Sequence, residues 1–550
     1  MCSRKYLFTK VFMKSLSSVS INCYFKTLIQ VKNHSTFHKW TLDYFRNQPQ
    51  YNKFVLKKSI TEENISLNNP INFNTISTDE LLLKYFSSKN VSHYEIDKEL
   101  ENRVNDMSIN QILALMDACL SEKNQFHKKS RSLKKCIELM DELWFRRPDL
   151  TTSQTIQLIY YVSIYKNKSK RVVEFGLQKL MNEISYLKKL TDEELSVIGV
   201  ATYKSSAKVY DKMLRIFAYR VEKNLDNLIQ NPLNFVSLIK PLKRAKYHDP
   251  VLLTQLINAF NNNKNNKVLE DVTSSIHLLT YFADANCGDI DFLQHLIDSI
   301  GNIMINDRLQ HYRIKDVSNY VFSTSYLGLT PKNPNVCKII IDFLNVVFNS
   351  KEKCQKMSKA LIGMCLSMWM LNYKPIELMQ FTFSQIPVAT LRMPNAHKQD
   401  NRLNLLLTCA HIEQPDLIKG YHQLIEEATN SMPDPYTHLA ERPFLVMVYQ
   451  SLQKLSHELN IMNAEYNFSI PYLRILGIKI NRANGEIIYV EVLDNSNCLY
   501  DTSIPNGMMK LKFRLESKLN FFVIKVNHKE NTLHNPIALQ CHLKSLLSNK

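Results

Sequence analysis

Apolar residues recur at three- and four-residue spacing in segments that return about every forty positions. Each opens on a polar residue and continues as an apolar stripe. The openings are Ser108 (SINQILALMDACL), Thr152, Thr191, Asn231, Glu270, Lys315 and Gln355, separated by 44, 39, 40, 39, 45 and 40 residues. Ser, Thr and Asn at such openings accept the free amide hydrogens of a first helical turn. Between these segments runs a second helical pattern, as in LKKCIELMDELWF from Leu133, VVEFGLQKLMNEI from Val172, VYDKMLRIFAYRV from Val209 and FLQHLIDSIGNIM from Phe292. A helix pair of this length cannot bury its apolar faces alone and stacks on its neighbours. The pattern predicts a mainly α chain, an α-solenoid of about seven helical pairs between Asn90 and Ile386.

Composition agrees with this reading. Apolar residues make up 45% of the 550 positions, enough for buried cores, while glycine occurs only 10 times and not before Gly176. Scarce glycine suits helices joined by short polar turns. The eleven cysteines include no CxxC pair, so they read as buried small hydrophobes, not a zinc site. No apolar run reaches 18 residues, so no transmembrane segment is expected.

The formal net charge is +18, which suits a polyanionic partner. Its placement follows the repeat. The loops after the first helices hold Lys123, Lys128, Lys129 and Arg131, then Lys166, Lys168, Lys170 and Arg171. Lys204 and Lys208 come next, followed by Lys240, Lys243, Arg244 and Lys246. The fifth loop, ADANCGD, is acidic. Equivalent loops of a repeat array share one edge, so four basic loops form a ridge suited to phosphates along a single strand. The candidate RNA-binding residues on this ridge are Lys128, Lys129, Lys168, Lys170, Arg171, Lys243, Arg244 and Lys246.

From Met1 to Leu42 there is no acidic residue, and seven Lys and Arg interleave with apolar and hydroxyl side chains. This reads as a mitochondrial presequence and places the protein in the mitochondrial matrix. Residues 43–89 read as a linker, partly disordered, and residues 90–315 as helical pairs.

Near the C-terminus the pattern changes. GEIIYVEVLD from Gly485 reads as a strand, and Met508–Leu519 as a basic helix with Lys510, Lys512, Arg514 and Lys518. Asn520 takes the helix C-cap position, FFVIKV is a buried strand, and a helix from Ala538 closes the chain. Lys510, Arg514 and Lys518 share one helix face at four-residue steps, a second candidate phosphate contact.

This unit resembles the RAP domain of the FAST-kinase-domain family of mitochondrial proteins. The resemblance rests on Cys498, Pro505, Gly507, Lys512-x-Arg514-Leu515, Val523, Ile524, Val526, Asn527 and Glu530. Upstream, YLGLTPKNP and LSMWMLNYKP within 316–386 are similar to the first shared domain of that family. LNLLLTCAHIEQPDL and SIPYLRILGIKI within 397–480 are similar to the second. The RAP segment is 484–547. Ile504, Asn520 and Lys529 depart from the family pattern.

The resemblance implies a small restriction-endonuclease-like α/β domain. It also implies binding of single-stranded mitochondrial RNA, with effects on transcript stability, processing or ribosomal RNA maturation. Partners would include proteins of mitochondrial RNA granules or ribosome assembly. The chain has no Gly-rich phosphate loop, VAIK, HRD or DFG motif.

RAP domains resemble shrunken PD-(D/E)xK nucleases, which hold Mg²⁺ between two carboxylates beside a lysine. Glu491 and Asp494 are the only close acidic pair on the predicted strand. Three residues apart, they face opposite sides unless Asp494 has left the strand. Lys510 or Lys512 would have to supply the lysine. The expectation is a non-catalytic RNA-binding protein without a cofactor. The alternatives are a Mg²⁺-dependent endonuclease and a protein-binding assembly scaffold.

Overall fold

A computed structural model of the chain describes residues 36–51, 73, 75–87, 93–121, 130–146, 150–164, 169–182, 189–263, 266–385, 397–419, 434–530 and 535–548. The chain is mainly helical and carries one small four-stranded mixed sheet near its C-terminus. It divides into two compact units, 1–247 and 248–550.

In the first unit the predicted openings become helix N-caps. Ser108 accepts from Gln111 N, and Ser108 N donates to the Gln111 side chain. Thr151, one residue before the predicted start, forms a capping box with Gln154, and Thr191 forms one with Glu194. Asn231 caps a helix that begins at Pro232. The first helices Thr78–Ser87, Ile109–Ser121, Thr152–Ser163, Asp192–Ser205 and Pro232–Ala245 pack one on the next. The second helices His93–Arg103, Arg131–Arg146 and Ser169–Asn182 form a parallel series beside them.

The second unit continues the same arithmetic. Its first helices are Val272–Asp284, Ile314–Leu327, Ser358–Met370 and His397–Glu413, again packed in series. Ile290–Asn306, Asn335–Val347 and Ile376–Gln385 make the second series. The expected boundary at 315/316 therefore falls inside one packed stack.

Side-chain contacts recur at fixed offsets in both units. An acid on a second helix accepts a backbone N–H from 34 residues downstream three times. The pairs are Asp97 with Arg131 N (2.8 Å), Glu174 with Lys208 N (2.7 Å) and Asp298 with Lys332 N (2.8 Å). Neighbouring first helices are bridged at an offset of 44, by Gln154 to Asn110, Tyr161 to Asp117 and Trp369 to Glu413. An amide at the start of a helix lacks an intrahelical partner, and a carboxylate from the previous pair supplies one.

The start of the chain departs from expectation. Residues 1–35 of the expected presequence lie outside the described residues. Thr36–Asn47 is a helix that buries Leu42 and Phe45, and Tyr51 after it is also buried. His38 bonds Tyr160 OH at 2.9 Å, and Tyr51 OH donates to Glu194 at 2.8 Å. The expected border at 42/43 thus cuts a helix that belongs to the first unit. The expected linker also contains Thr78–Ser87, with Leu81 and Leu82 buried. Neither helix falls within the forty-residue series of openings that begins at Ser108.

The C-terminal α/β unit begins well before residue 484. Its order is the helix Pro443–Lys454, β1 (Ile461–Asn467), β2 (Gly477–Arg482), β3 (Ile487–Leu493), the crossover helix Gly507–Lys518, β4 (Phe522–Asn527) and the helix Pro536–Ser548. The sheet order is β1-β2-β3-β4. β1, β2 and β3 are antiparallel, and β4 is parallel to β3 through the crossover helix. Ile478, Ile480, Ile488, Val490, Val492, Ile524 and Val526 pack against Leu445, Val448 and Leu452 and against Leu539, Leu543 and Leu547. The crossover helix covers the other face, where Leu493, Cys498 and Met509 form a smaller cluster. β1 (IMNAEYN) has no fully buried position, so no apolar alternation announces it in the sequence.

The 34-residue device is testable at Asp97, which also accepts from Ser130 (2.7 Å) and Ser132 (2.5 Å). Asp97→Ala strands these buried donors and is expected to cost about 2 kcal/mol. Urea unfolding should show a lower midpoint with unchanged helix content before the transition.

Candidate functional site

The sheet face under the crossover helix holds a buried group of charges. β3 alternation turns Val490 and Val492 to the large core and Glu491 to the helix. There Lys512 Nζ lies 2.5 Å from Glu491 and 3.8 Å from Glu516, one helical turn on. Lys512 also donates to Ile475 O at 2.9 Å, and Ser469 Oγ donates to Glu516 at 2.5 Å. All three charged side chains are within 1% of full burial. Room for the Glu491 carboxylate comes from Gly477 on the adjacent strand, where a Cβ would sit 2.5 Å from Glu491 Oε1.

Two carboxyls and one ammonium cannot all be charged in a dry core at low cost. Burial, and then the neighbouring Glu491, raise the Glu516 carboxyl to about 8. A proton held on Glu516 leaves one negative and one positive charge, and supplies the Glu491 carboxylate with a second donor beside Lys512.

Asp494 has left the strand, as its convergence with Glu491 required, but it turns elsewhere. Arg442, before the Pro443 helix, donates to Asp494 Oδ2 at 2.8 Å, to Val492 O at 2.8 Å and to Leu476 O. Asp494 also accepts from Ser496 N and Oγ. Glu491 and Asp494 therefore do not form a shared metal site. Lys512 and Arg442 already occupy their carboxylates, and no group of three or more His, Cys, Asp or Glu suited to a metal occurs among the described residues. The alternative of Mg²⁺-dependent cleavage finds no paired carboxylates here, because Glu491 and Asp494 turn to different partners. Cys498 is buried in the loop after β3, and burial together with Asp494 raises its thiol to about 12, which makes it a poor nucleophile.

The expected phosphate stripe is largely committed to the protein itself. Lys512 is fully buried and cannot meet RNA, because its four-carbon stem points at β3. Lys510 Nζ donates to Gly328 O at 2.8 Å. Arg514 donates to Trp369 O (2.7 Å), Met370 O (3.2 Å) and Glu413 (2.9 Å), and Glu413 also accepts from Trp369 Nε1. These carbonyls lie at the C-terminal ends of two successive first helices, where cations are favoured. Gly507 makes the approach possible, since a Cβ there would lie 1.7 Å from Ser325 O. Of the stripe Lys510, Arg514 and Lys518, only Lys518 remains an exposed cation without such a contact among those described.

The basic edge of the first unit stays at the surface. Lys128, Lys129 and Lys168 lie outside the described residues. Lys170, Arg171, Lys204, Lys208, Arg244 and Lys246 are exposed, and Lys243 is half-buried. Lys170 is 4.0 Å from Glu174. Arg244 donates to Tyr203 O at 3.1 Å and Thr202 O at 3.4 Å, so part of its role is to cap the preceding first helix. Lys204 stands 5.5 Å over the Tyr160 ring and Lys240 5.5 Å over Tyr203, which brings the ends of three consecutive first helices together.

Comparison with known proteins finds no family model and no curated protein that matches the chain. Functional inference therefore rests on the residues and their geometry. Glu413 and Arg442 escaped sequence reasoning because their partners lie 34 or more residues away, and Glu516 because Ser469 lies 47 residues away. The one available signal was Glu516, four positions after Lys512 on the same helix face.

Three outcomes are expected. Below its ordinary value Glu516 is protonated in both folded and unfolded chains, so its contribution is fully present there. It is lost as pH rises through about 8, because only the unfolded chain then ionises freely. Urea unfolding between pH 5 and 9 should show the wild-type chain weakening relative to Glu516→Gln. Lys512→Met leaves Glu491 buried without its partner and should cost about 3–5 kcal/mol. Arg514→Gln should lower the melting temperature, whereas a solvent-facing phosphate contact would leave it unchanged or raise it.

Proposed function

We propose that this chain is a non-catalytic RNA-binding protein of the mitochondrial matrix that controls stability, processing or maturation of mitochondrial transcripts. The helical pairs form an α-solenoid, and single-stranded RNA lies along its basic edge. The α/β end unit is a RAP-type domain, restriction-endonuclease-like in topology, that serves binding and not cleavage. Proteins of RNA granules or ribosome assembly are its further partners.

The observation that carries this reading is the run of exposed cations at the helix ends and turns along one edge of the first unit: Lys170, Arg171, Lys204, Lys208, Arg244 and Lys246. Most have no carboxylate partner among the ion pairs described, Lys170 with Glu174 being the exception. Such a row neutralises phosphates and releases counterions. The offsets of 34 and 44 support a repeating array. The meander β1-β2-β3 followed by a crossover helix and parallel β4 supports the nuclease-like end unit. The occupied carboxylates Glu491 and Asp494 favour binding over metal-dependent cleavage. No helix among the described residues is long and apolar enough to cross a membrane.

Changing Lys170, Arg171, Lys208 and Lys246 together to glutamate should reduce affinity for a single-stranded RNA oligomer more than a hundredfold at moderate salt. The wild-type log affinity should fall steeply with log salt, at about 0.7 per phosphate contacted, and the slope should shrink in the variant. A salt-insensitive interaction with protein partners would favour the assembly-scaffold reading instead.

A further inference from the structure

The basic edge carries more than charge. At the starts of the second helices in the first unit, cations lie over aromatic rings. Arg131 is 5.1 Å from the centre of the Tyr94 ring, Arg171 is 5.4 Å from Phe175, and Lys208 is 5.8 Å from Tyr210. The three belong to the same end of successive pairs: Tyr94 and Arg131 at the starts of neighbouring second helices, Arg171 in the first turn of the next, Lys208 and Tyr210 just before the one after. Tyr94 is 59% exposed and Tyr210 38%, so the large rings sit at the surface in place of the small polar residues usual in turns.

The backbone beneath is held firmly. Asp97 fixes the amide of Arg131, and Glu174 fixes that of Lys208, which presents both cations outward beside their rings. A ring with a cation on one side and water on the other is a platform for a flat aromatic ligand. The cation meets a phosphate while the open ring meets a base. Rows of such platforms bind single strands, because bases of a duplex are already stacked on one another.

We infer that Tyr94 and Tyr210 are base-stacking positions, each paired with its phosphate-binding cation Arg131 or Lys208. This edge therefore recognises single-stranded nucleic acid through its bases as well as its backbone, and discriminates against duplexes. The inference rests on the RNA-binding reading and deepens it. Tyr219 provides an internal control. It is 57% exposed with Lys223 5.9 Å from its ring, but at the opposite end of the Asp211–Lys223 helix.

The test uses the full-length chain and a single-stranded RNA 12-mer containing 2-aminopurine, with an abasic ribose-phosphate 12-mer and an RNA duplex as comparators. Tyr94→Ala and Tyr210→Ala should each weaken 12-mer binding about tenfold or more, with the salt slope unchanged. Tyr94→Phe and Tyr210→Phe should retain affinity, and Tyr219→Ala should match wild type. Wild-type chain should quench 2-aminopurine and prefer the 12-mer over both comparators. The quench reports stacking even if an alanine variant fails to fold. Wild-type affinity in the alanine variants, absence of quenching, or equal binding of the abasic chain would each overturn the stacking inference while leaving RNA or polyanion binding intact. Failure of the wild-type chain to bind any of the three would overturn the RNA reading, and the stacking inference with it.

Discussion

A helix that is apolar nearly all round must be covered on every side. The first helices are of this kind. In Asp192–Ser205 every position from Glu194 to Thr202 is buried, and Val272–Asp284 and Ser358–Met370 are almost as enclosed. One partner helix cannot do this, so Asp192–Ser205 takes both neighbouring first helices, Thr152–Ser163 and Pro232–Ala245, and the second helix Ser169–Asn182. Serial packing within each unit follows from that requirement. Caps and cross-pair acids then set the register, since each helix start offers amides that the previous pair satisfies.

The α/β unit answers a different problem, how to fasten a sheet domain to the ends of helices. Carbonyls at the C-terminal ends of the Ile314 and Ser358 helices carry partial negative charge that favours cationic donors. Lys510 and Arg514, four residues apart on the crossover helix, supply them. The third turn-mate, Lys512, points the opposite way into the sheet. One short helix thus uses its cations on two faces for two structural ends, and its basic composition reflects docking before any ligand. Burial of Glu491, Lys512 and Glu516 together adds little net stability, because desolvation offsets most of the attraction. It makes the helix-to-strand register specific, since any slip would leave a charge alone in the core.

The first unit spends its cations differently. On its loop edge Arg131 and Lys208 lie over surface rings and face water, whereas Arg244 is turned to carbonyls of the preceding helix. Equivalent loop positions therefore serve internal closure in one unit and remain open to a polyanion in the other.

Helix existence, period and N-caps were legible in the sequence because each is local: a cap reads three residues ahead, an apolar stripe reads four. Asn520 as a left-handed helix end was legible for the same reason, and its φ is +57°. β1 was not, since an edge strand without a buried face has no period of two to read. The roles of the basic helix were not legible either. Lysine and arginine are identical in sequence whether they meet water, a carbonyl or a buried carboxylate. That choice depends on partners such as Gly328, Glu413 and Glu491. Glu491 is 21 residues away from the Lys512 that it holds, and Glu413 is 101 from Arg514. The sequence alone determined where helices start and how often they recur, because those rest on contacts within one turn. Only the tertiary structure decided which charges are buried, which are fastened and which stay free, because desolvation is set by whatever the rest of the fold brings alongside.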